Sequence, residues 1–214
     1  ELTISVNVKP ETYKHASIVD KLPGSSGVGY RLNLRGDPND QMGVIWSTYG
    51  TASANDNAQS DESGYSPNEW VAITGVWKNN NYVKMYVNGV LVDSTATDKS
   101  FDTDRPLEFA RMSYDGSQSD NEYFDGLIDN MSIWKTALSK NLIESHMITP
   151  PTNDEDNLVG HWNFNSGSGD ILYDHSGNQN HGTINGATWS TDVPVPGCTD
   201  PYAENYNENA SVDD

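Results

Sequence analysis

The chain has 214 residues, 35% of them hydrophobic, enough for one large β-sandwich with or without a small appendage if the apolar residues share one face of each strand. Twelve basic against 31 acidic residues leave a formal net charge of −19, a surface that repels phosphate backbones and excludes nucleic acid as a partner. No apolar run approaches the ~18 residues of a membrane span, so no membrane insertion is expected.

The chain opens on ELTISVNVKP with no leader-like stretch before it, the opening expected of a mature fragment. Leu2, Ile4, Val6 and Val8 alternate with Thr3, Ser5 and Asn7, which predicts a half-buried strand. Tyr30, Leu32 and Leu34 repeat the pattern, and Val44, Trp46 and Thr48 predict another strand. From Gly50 to Asn68 the polar stretch GTASANDNAQSDESGYSPN reads as a long loop, a length usually kept for function or disorder. Glu69 to Trp77, EWVAITGVW, predicts the next strand. Tyr82 to Val87 and Val90 to Ser94 flank Asn88-Gly89, a hairpin signal because both turn residues must take positive φ. Leu107 to Met112 and Gly126 to Trp134 follow as strands, with an acidic stretch from Ser113 to Asp125 between them.

Helical periodicity is confined to Ser139 to His146, SKNLIESH. The composition shifts to TPPTNDED between Thr149 and Asp156, which marks a connector. Strand character resumes from Leu158 to Trp189. VPVPG then reads as a stiff linker before a solvated tail from Cys198 to Asp214. As the sole cysteine, Cys198 excludes an internal disulfide and a thiolate zinc cluster. Many short strands at this spacing predict an all-β sandwich or jelly roll.

Three segments carry a resemblance. NEWVAITGVW, YVKMYVNGVLV and YFDGLIDNMSIWKTALS follow the pattern GEWxHVAxT–VxxYVNGxLV–FxGxIDxVxIWxxAL, which is similar to laminin-G-like domains of the concanavalin A-like jelly-roll superfamily. LVGHWNFNSGSGDILYDHSGNQNHGTINGATW resembles a further hallmark of the same superfamily. The resemblance implies a two-sheet antiparallel jelly-roll sandwich with one short helix. In many family members the last of these segments precedes the jelly roll, whereas here it follows. Either it begins a second repeat, or it folds back and fills the edge of a permuted sandwich. The second is expected, because the opening strand would otherwise lack a neighbour. On that reading residues 1–149 form the jelly roll, 150–190 complete it, and 191–214 are linker and tail. The tail GCTDPYAENYNENASVDD resembles the start of a repeat found in secreted marine bacterial proteins, which normally continues to a second cysteine. That implies a secreted or cell-surface location beside neighbouring domains of a larger chain.

Two kinds of site are expected. Asp174, Ser176, Asn178 and Asn180 offer side-chain oxygens on a glycine-containing loop, a donor set suited to calcium. Asp125 and Asp129 of YFDGLIDN are expected at the same end of the sandwich. The resemblance makes Asp174 the aspartate that anchors calcium. The alternative is an Asx-turn loop held by its own backbone. Tail residues Asp200, Asn205, Asn207, Asn209, Asp213 and Asp214 lack the EF-hand spacing. For a sugar ligand, Tyr49, Tyr65, Tyr114 and Tyr123 lie in or beside the acidic loops, where a ring can stack on a sugar face. The six tryptophans fall within strand patterns and are expected in the core or at its rim.

No ExDxE strand of the glycanase type is present, no strand is rich in arginine, and no histidine has an obvious nucleophile partner, so no catalytic residue is expected. The expectation is a calcium-dependent carbohydrate-binding or adhesion module for a glycan or cell-surface polysaccharide. A spacer that binds nothing and a polysaccharide-active enzyme of the same fold are the alternatives.

Overall fold

A computed structural model describes residues 1–12, 14–22, 28–36, 42–49, 55–59, 65–100, 105–112, 123–198, 200–203 and 206–212. The fold is nearly all β, in two main antiparallel sheets. Strand β1 (Leu2–Pro10) is central to the larger sheet. It pairs on one side with β10 (Gly126–Trp134) and on the other with β6 (Val71–Lys78). With β7 (Tyr82–Val87), β8 (Val90–Ala96) and β11 (Leu158–Trp162), the six-stranded order is β11-β10-β1-β6-β7-β8. The facing sheet is built from β2 (Ala16–Lys21), β3 (Gly29–Gly36), β4 (Met42–Tyr49), β5 (Asn55–Gln59) and β9 (Glu108–Phe109), in the order β5-β4-β3-β2-β9.

Alternation decides which side chains meet between the sheets. Ile4, Val6 and Val8 of β1 and Ile73 and Trp77 of β6 bury against Leu32 and Leu34 of β3 and Val44 and Trp46 of β4. β6 lies close against the facing sheet at Gly75, where a Cβ would lie 2.6 Å from the Trp46 ring. That contact requires glycine. The β7–β8 turn is made by Asn88 and Gly89 at φ of 46° and 73°, the geometry that matches strand twist.

Two strands carry no clear sequence signal. β5 lies within the stretch read as a loop, and Ala58 is its core residue, so an edge strand of polar residues shows no hydrophobic alternation. β2, ASIVDK, is buried on both faces, and a bulge between Ser17 and Val19 breaks its period. Conversely, the strand expected over Leu107–Met112 shortens to β9, because Ala110 turns to φ 60°.

Helix α1 (Lys140–Ile148) is capped by Ser139, whose Oγ accepts from the Leu142 N–H. Its Ile143 buries with Trp134, Leu138, Leu158, Val76 and Tyr86 on the outer side of the six-stranded sheet. Downstream, β11 pairs with β10, and its Trp162 enters the main core, edge-on to Phe109 at 5.0 Å. A small ladder of β12 (Ile171–Leu172) and β13 (Gly182–Thr183) follows. The described tail is packed against the sandwich: Asp192 pairs with Lys9 at 2.6 Å and accepts from Trp70 Nε1 at 3.0 Å. Val212 is buried with Trp70 and Ala72.

Candidate functional site

The outward face of the five-stranded sheet carries polar residues from every one of its strands. Leu32 and Leu34 of β3 point to the core, so Arg31, Asn33 and Arg35 point away from it. Strand register then aligns polar residues in rows. Glu108, Asp20, Arg31, Ser47 and Asn57 are successive Cα partners across all five strands. A second row runs Ser17, Asn33 and Gln59, with the apolar Ile45 between the last two.

The rows have a buried floor and a partly exposed rim. Asp20, Arg31, Asn33, Ser17 and Ser47 are all buried. Arg31 forks onto Asp20 Oδ2 with Nε at 2.9 Å and Nη2 at 2.7 Å, while the Leu22 N–H donates to Oδ1 at 2.8 Å. This ion pair, made to the single oxygen Oδ2, compensates two buried charges. Beside it, Glu108 Oε1 pairs with Arg111 Nη1 at 3.2 Å. Two buried acceptors, Glu108 Oε2 and Asn33 Oδ1, have no hydrogen-bond partner among the described residues. Buried acceptors of this kind are costly unless a donor reaches them. Arg35 is exposed at the end of β3, opposite Gly43, which offers no side chain to cover it.

The four tyrosines separate. Tyr49 shares the outward face through its parity with Ile45 and Ser47 and is partly exposed. Tyr123 forms an isolated antiparallel bridge with Arg111 and is 45% exposed at the same margin of the sheet. Tyr65 is 5% exposed and belongs to the main core, so it does not present a ring to solvent. Tyr114 lies outside the described residues.

The loop after β12 is a closed hydrogen-bond knot. Asp174 Oδ1 accepts from the N–H of His161 at 2.9 Å and of Ser176 at 2.8 Å. Its Oδ2 accepts from Ser176 Oγ at 2.9 Å and the Asn180 N–H at 2.8 Å. Burial alone would raise its pKa, but these bonds outweigh burial and hold it below the usual carboxylate value. Asn178 Nδ2 donates to the Leu158 carbonyl at 2.9 Å, and Asn180 Nδ2 to the Val159 carbonyl at 2.8 Å. Four bonds fill the acceptor capacity of one carboxylate. The same bonds that would have to open for a cation pin this loop onto β11. The residues therefore fit a self-paired anchor and do not fit a calcium shell.

Asp125 and Asp129 do not complete such a shell. Asp125 is held by Thr12 Oγ1 at 3.3 Å and Lys14 Nζ at 3.8 Å. Asp129 is buried opposite Asn7 of β1, and desolvation pushes its pKa up to about 6 against one N–H bond from Asn130. Among the described residues, no three His, Cys, Asp or Glu side chains converge as a metal site. His175 and His181 do not assemble one either: the Asp174 N–H donates to His181 Nδ1 at 3.0 Å, and His175 lies 6.3 Å from the His161 ring.

Sequence reasoning singled out none of Asp20, Arg31, Asn33, Glu108 or Arg111. A signal existed in RLNLR, where the polar members of an alternating strand define a second face. Alternation cannot tell which strands lie beside it, and β2 and β9 supply three of the nine positions, Ser17, Asp20 and Glu108.

Comparison with known proteins follows this geometry. A protein-family model described as the concanavalin A-like lectin/glucanases superfamily, Laminin_G_3, matches residues 1–144. A search of curated proteins finds no match. Among solved structures, a protein of Bacteroides ovatus ATCC 8483 assigned a carbohydrate-binding role aligns with TM-score 0.63 at 16% identity, over 89% of this chain and 55% of that one. A heptameric SAP-like pentraxin from Limulus polyphemus aligns with TM-score 0.55 at 13% identity, over 73% of this chain and 71% of that one. The receptor-binding domain of botulinum neurotoxin type G aligns with TM-score 0.50 at 15% identity, over 68% of this chain and 37% of that one. The chain thus spans about half of the Bacteroides protein and little more than a third of the toxin domain. At these identities the likeness concerns the fold. With the family match over residues 1–144, more than half of the chain, and two facing antiparallel sheets, the chain belongs to the concanavalin A-like lectin/glucanases superfamily, in its Laminin_G_3 family.

Proposed function

We propose that the chain is a carbohydrate-binding module that receives its glycan on the outward face of the five-stranded sheet, within a larger secreted or cell-surface protein. The observation that carries this reading is the polar face itself. Over its buried floor it keeps Arg35, Asn57, Gln59, Glu108 and Arg111 exposed or half-exposed, with the rings of Tyr49 and Tyr123 at its margins. Sugar hydroxyls need directional partners and sugar rings need an aromatic edge, and this face offers both. The similar structures support a binding role, since they include an assigned carbohydrate-binding protein and a receptor-binding domain. Among the described residues, the carboxylates of the two rows are ion-paired, Asp20 with Arg31 and Glu108 with Arg111, which suits positioning better than acid-base work. Calcium at the Asp174 loop is not part of this reading.

A glycan array tests it, using the whole chain and the variants Tyr49→Ala and Tyr123→Ala, with and without EDTA. Expected is a defined set of retained glycans, weakened about tenfold or more by each substitution and unchanged by EDTA. No retained glycan overturns the reading, and so does retention that neither variant moves.

A further inference from the structure

We infer that the open edge of β8 is a pairing surface for a second copy of the chain, and that Asp93 holds it shut. The surface lies on the side of the sandwich where β8 meets β5, away from the polar rows.

β8 ends the six-stranded sheet and β5 ends the five-stranded sheet, and among the described residues no further strand pairs with either. The open side of an end strand is a row of backbone N–H and C=O groups that another strand can join. Lysine, proline and arrays of charge commonly blunt such an edge. β8, with the sequence VLVDSTA, has no lysine, no proline and one charged residue, Asp93. Val90, Leu91 and Val92 are 62%, 43% and 40% exposed, so the edge is apolar as well as open.

Asp93 is placed to guard both sheets at once. Its Oδ1 accepts from the Ser94 N–H of β8 at 2.7 Å, and its Oδ2 from the Gln59 N–H of β5 at 3.0 Å. One carboxylate thus takes a backbone donor from the end strand of each sheet. An incoming strand would have to win those donors from a charged acceptor and lie beside its charge. The bulge in the β7–β8 pairing adds a second obstacle. It leaves Val92 as the extra residue and bends the Val90 end away from the regular run that starts at Asp93. Asp93 therefore stands where the straight part of the edge begins. Next to it, Thr97 Oγ1 donates to Asp56 Oδ2 at 2.7 Å, a tie between side chains that caps no backbone N–H of either strand.

The occupant that fits is a second copy. Antiparallel pairing of two identical edges is self-complementary about a two-fold axis, so a single strand supplies both halves of the contact. A net charge of −19 makes copies repel at long range. That repulsion is screened within about 10 Å at 0.1 M salt and about 3 Å at 1 M. The two bonds made by Asp93 act at contact distance and persist in salt. Salt therefore separates the general charge from the local guard.

The test is sedimentation equilibrium of the whole chain over a range of concentrations, at about 0.1 M and about 1 M NaCl. The variants are Asp93→Ala, Asp98→Ala and the double variant Asp93→Ala with Ser94→Pro, each checked for folding by circular dichroism. Asp98→Ala removes the same charge from a nearby carboxylate that is 82% exposed and pairs with Lys99. Proline at position 94 has no N–H to give an incoming strand. Expected is self-association of D93A about tenfold or more tighter than that of the wild type and of D98A at both salt concentrations, lost again in the double variant. If D93A does not fold, Asp93→Asn takes its place, since an amide keeps one acceptor and releases one of the two N–H groups. Association of D93A no tighter than that of D98A overturns the inference. So does a wild type that associates in 1 M salt as tightly as D93A, because charge alone is then the guard. Association of D93A that Ser94→Pro leaves intact overturns the pairing through β8.

Discussion

Replacing Asp174 by Asn asks whether its loop is a hydrogen-bonded anchor or a metal ligand. The carboxylate accepts four bonds, two at each oxygen. An amide keeps one oxygen and turns the other acceptor into a donor, so two N–H or O–H groups lose their partner. Hydrogen bonds to a charged group are worth about 1.5–3 kcal/mol each, and two lost together cost about 3–6 kcal/mol. With an unfolding entropy of about 2.1 cal/mol/K per residue over this chain, Tm should fall by about 7–13 °C. Because bonding holds the Asp174 pKa below its ordinary value, its contribution is complete above the unfolded pKa near 3.8. That contribution is lost as pH falls through the depressed folded value. The gap between wild type and Asp174→Asn should therefore be full at pH 7 and narrow below pH 3.8. Calorimetric scans at both pH values, with EDTA and with added calcium, measure it. A Tm drop under about 2 °C would refute the anchor. So would a wild-type Tm that EDTA lowers by several degrees and calcium restores.

Three further outcomes follow from particular contacts. Asp129 is buried with its pKa raised to about 6, so charging it opposes folding as pH rises from the unfolded value of 3.8 through 6. Asp129→Asn should raise Tm at pH 8 by about 2 °C or more and leave it unchanged at pH 3.5, read by thermal scans. Asp20→Ala leaves the Arg31 guanidinium buried without its fork and should cost about 3–5 kcal/mol in urea unfolding. Replacing Asp20 and Arg31 together by leucine should cost less. Trp162→Ala empties a core position next to Phe109 and should cost about 3–5 kcal/mol, with cooperative unfolding of the whole sandwich retained. If the sandwich melts as before without the Trp162 ring, the segment after the helix is not part of its core.

Much of the fold is written in local pattern. Ile4, Val6 and Val8, or Leu32 and Leu34, mark a buried face by parity alone, and Asn88-Gly89 specifies its turn through backbone sterics. Where a strand is polar at a sheet edge, as β5 is, or buried on both faces, as β2 is, the alternation vanishes and the strand goes unseen.

The candidate site divides the same way. Asp174, Asn178 and Asn180 were legible as a cluster because they are close in sequence. Their oxygens and amides could have served a cation or each other, and only the placement of the loop against β11 decided for each other. The tyrosines were legible as residue types, yet burial sent Tyr65 to the core and left Tyr123 at the sheet margin. The polar rows were not legible. Glu108, Asp20, Arg31 and Ser47 come from four strands that meet through register, and register depends on pairing between distant segments. By itself the sequence determined the class of fold, the acidic surface and the buried face of each strand, because these depend on composition and period. Tertiary structure alone decided that Arg31 and Glu108, 77 residues apart, stand on either side of Asp20, because only hydrogen-bonded pairing brings β3 and β9 to flank β2.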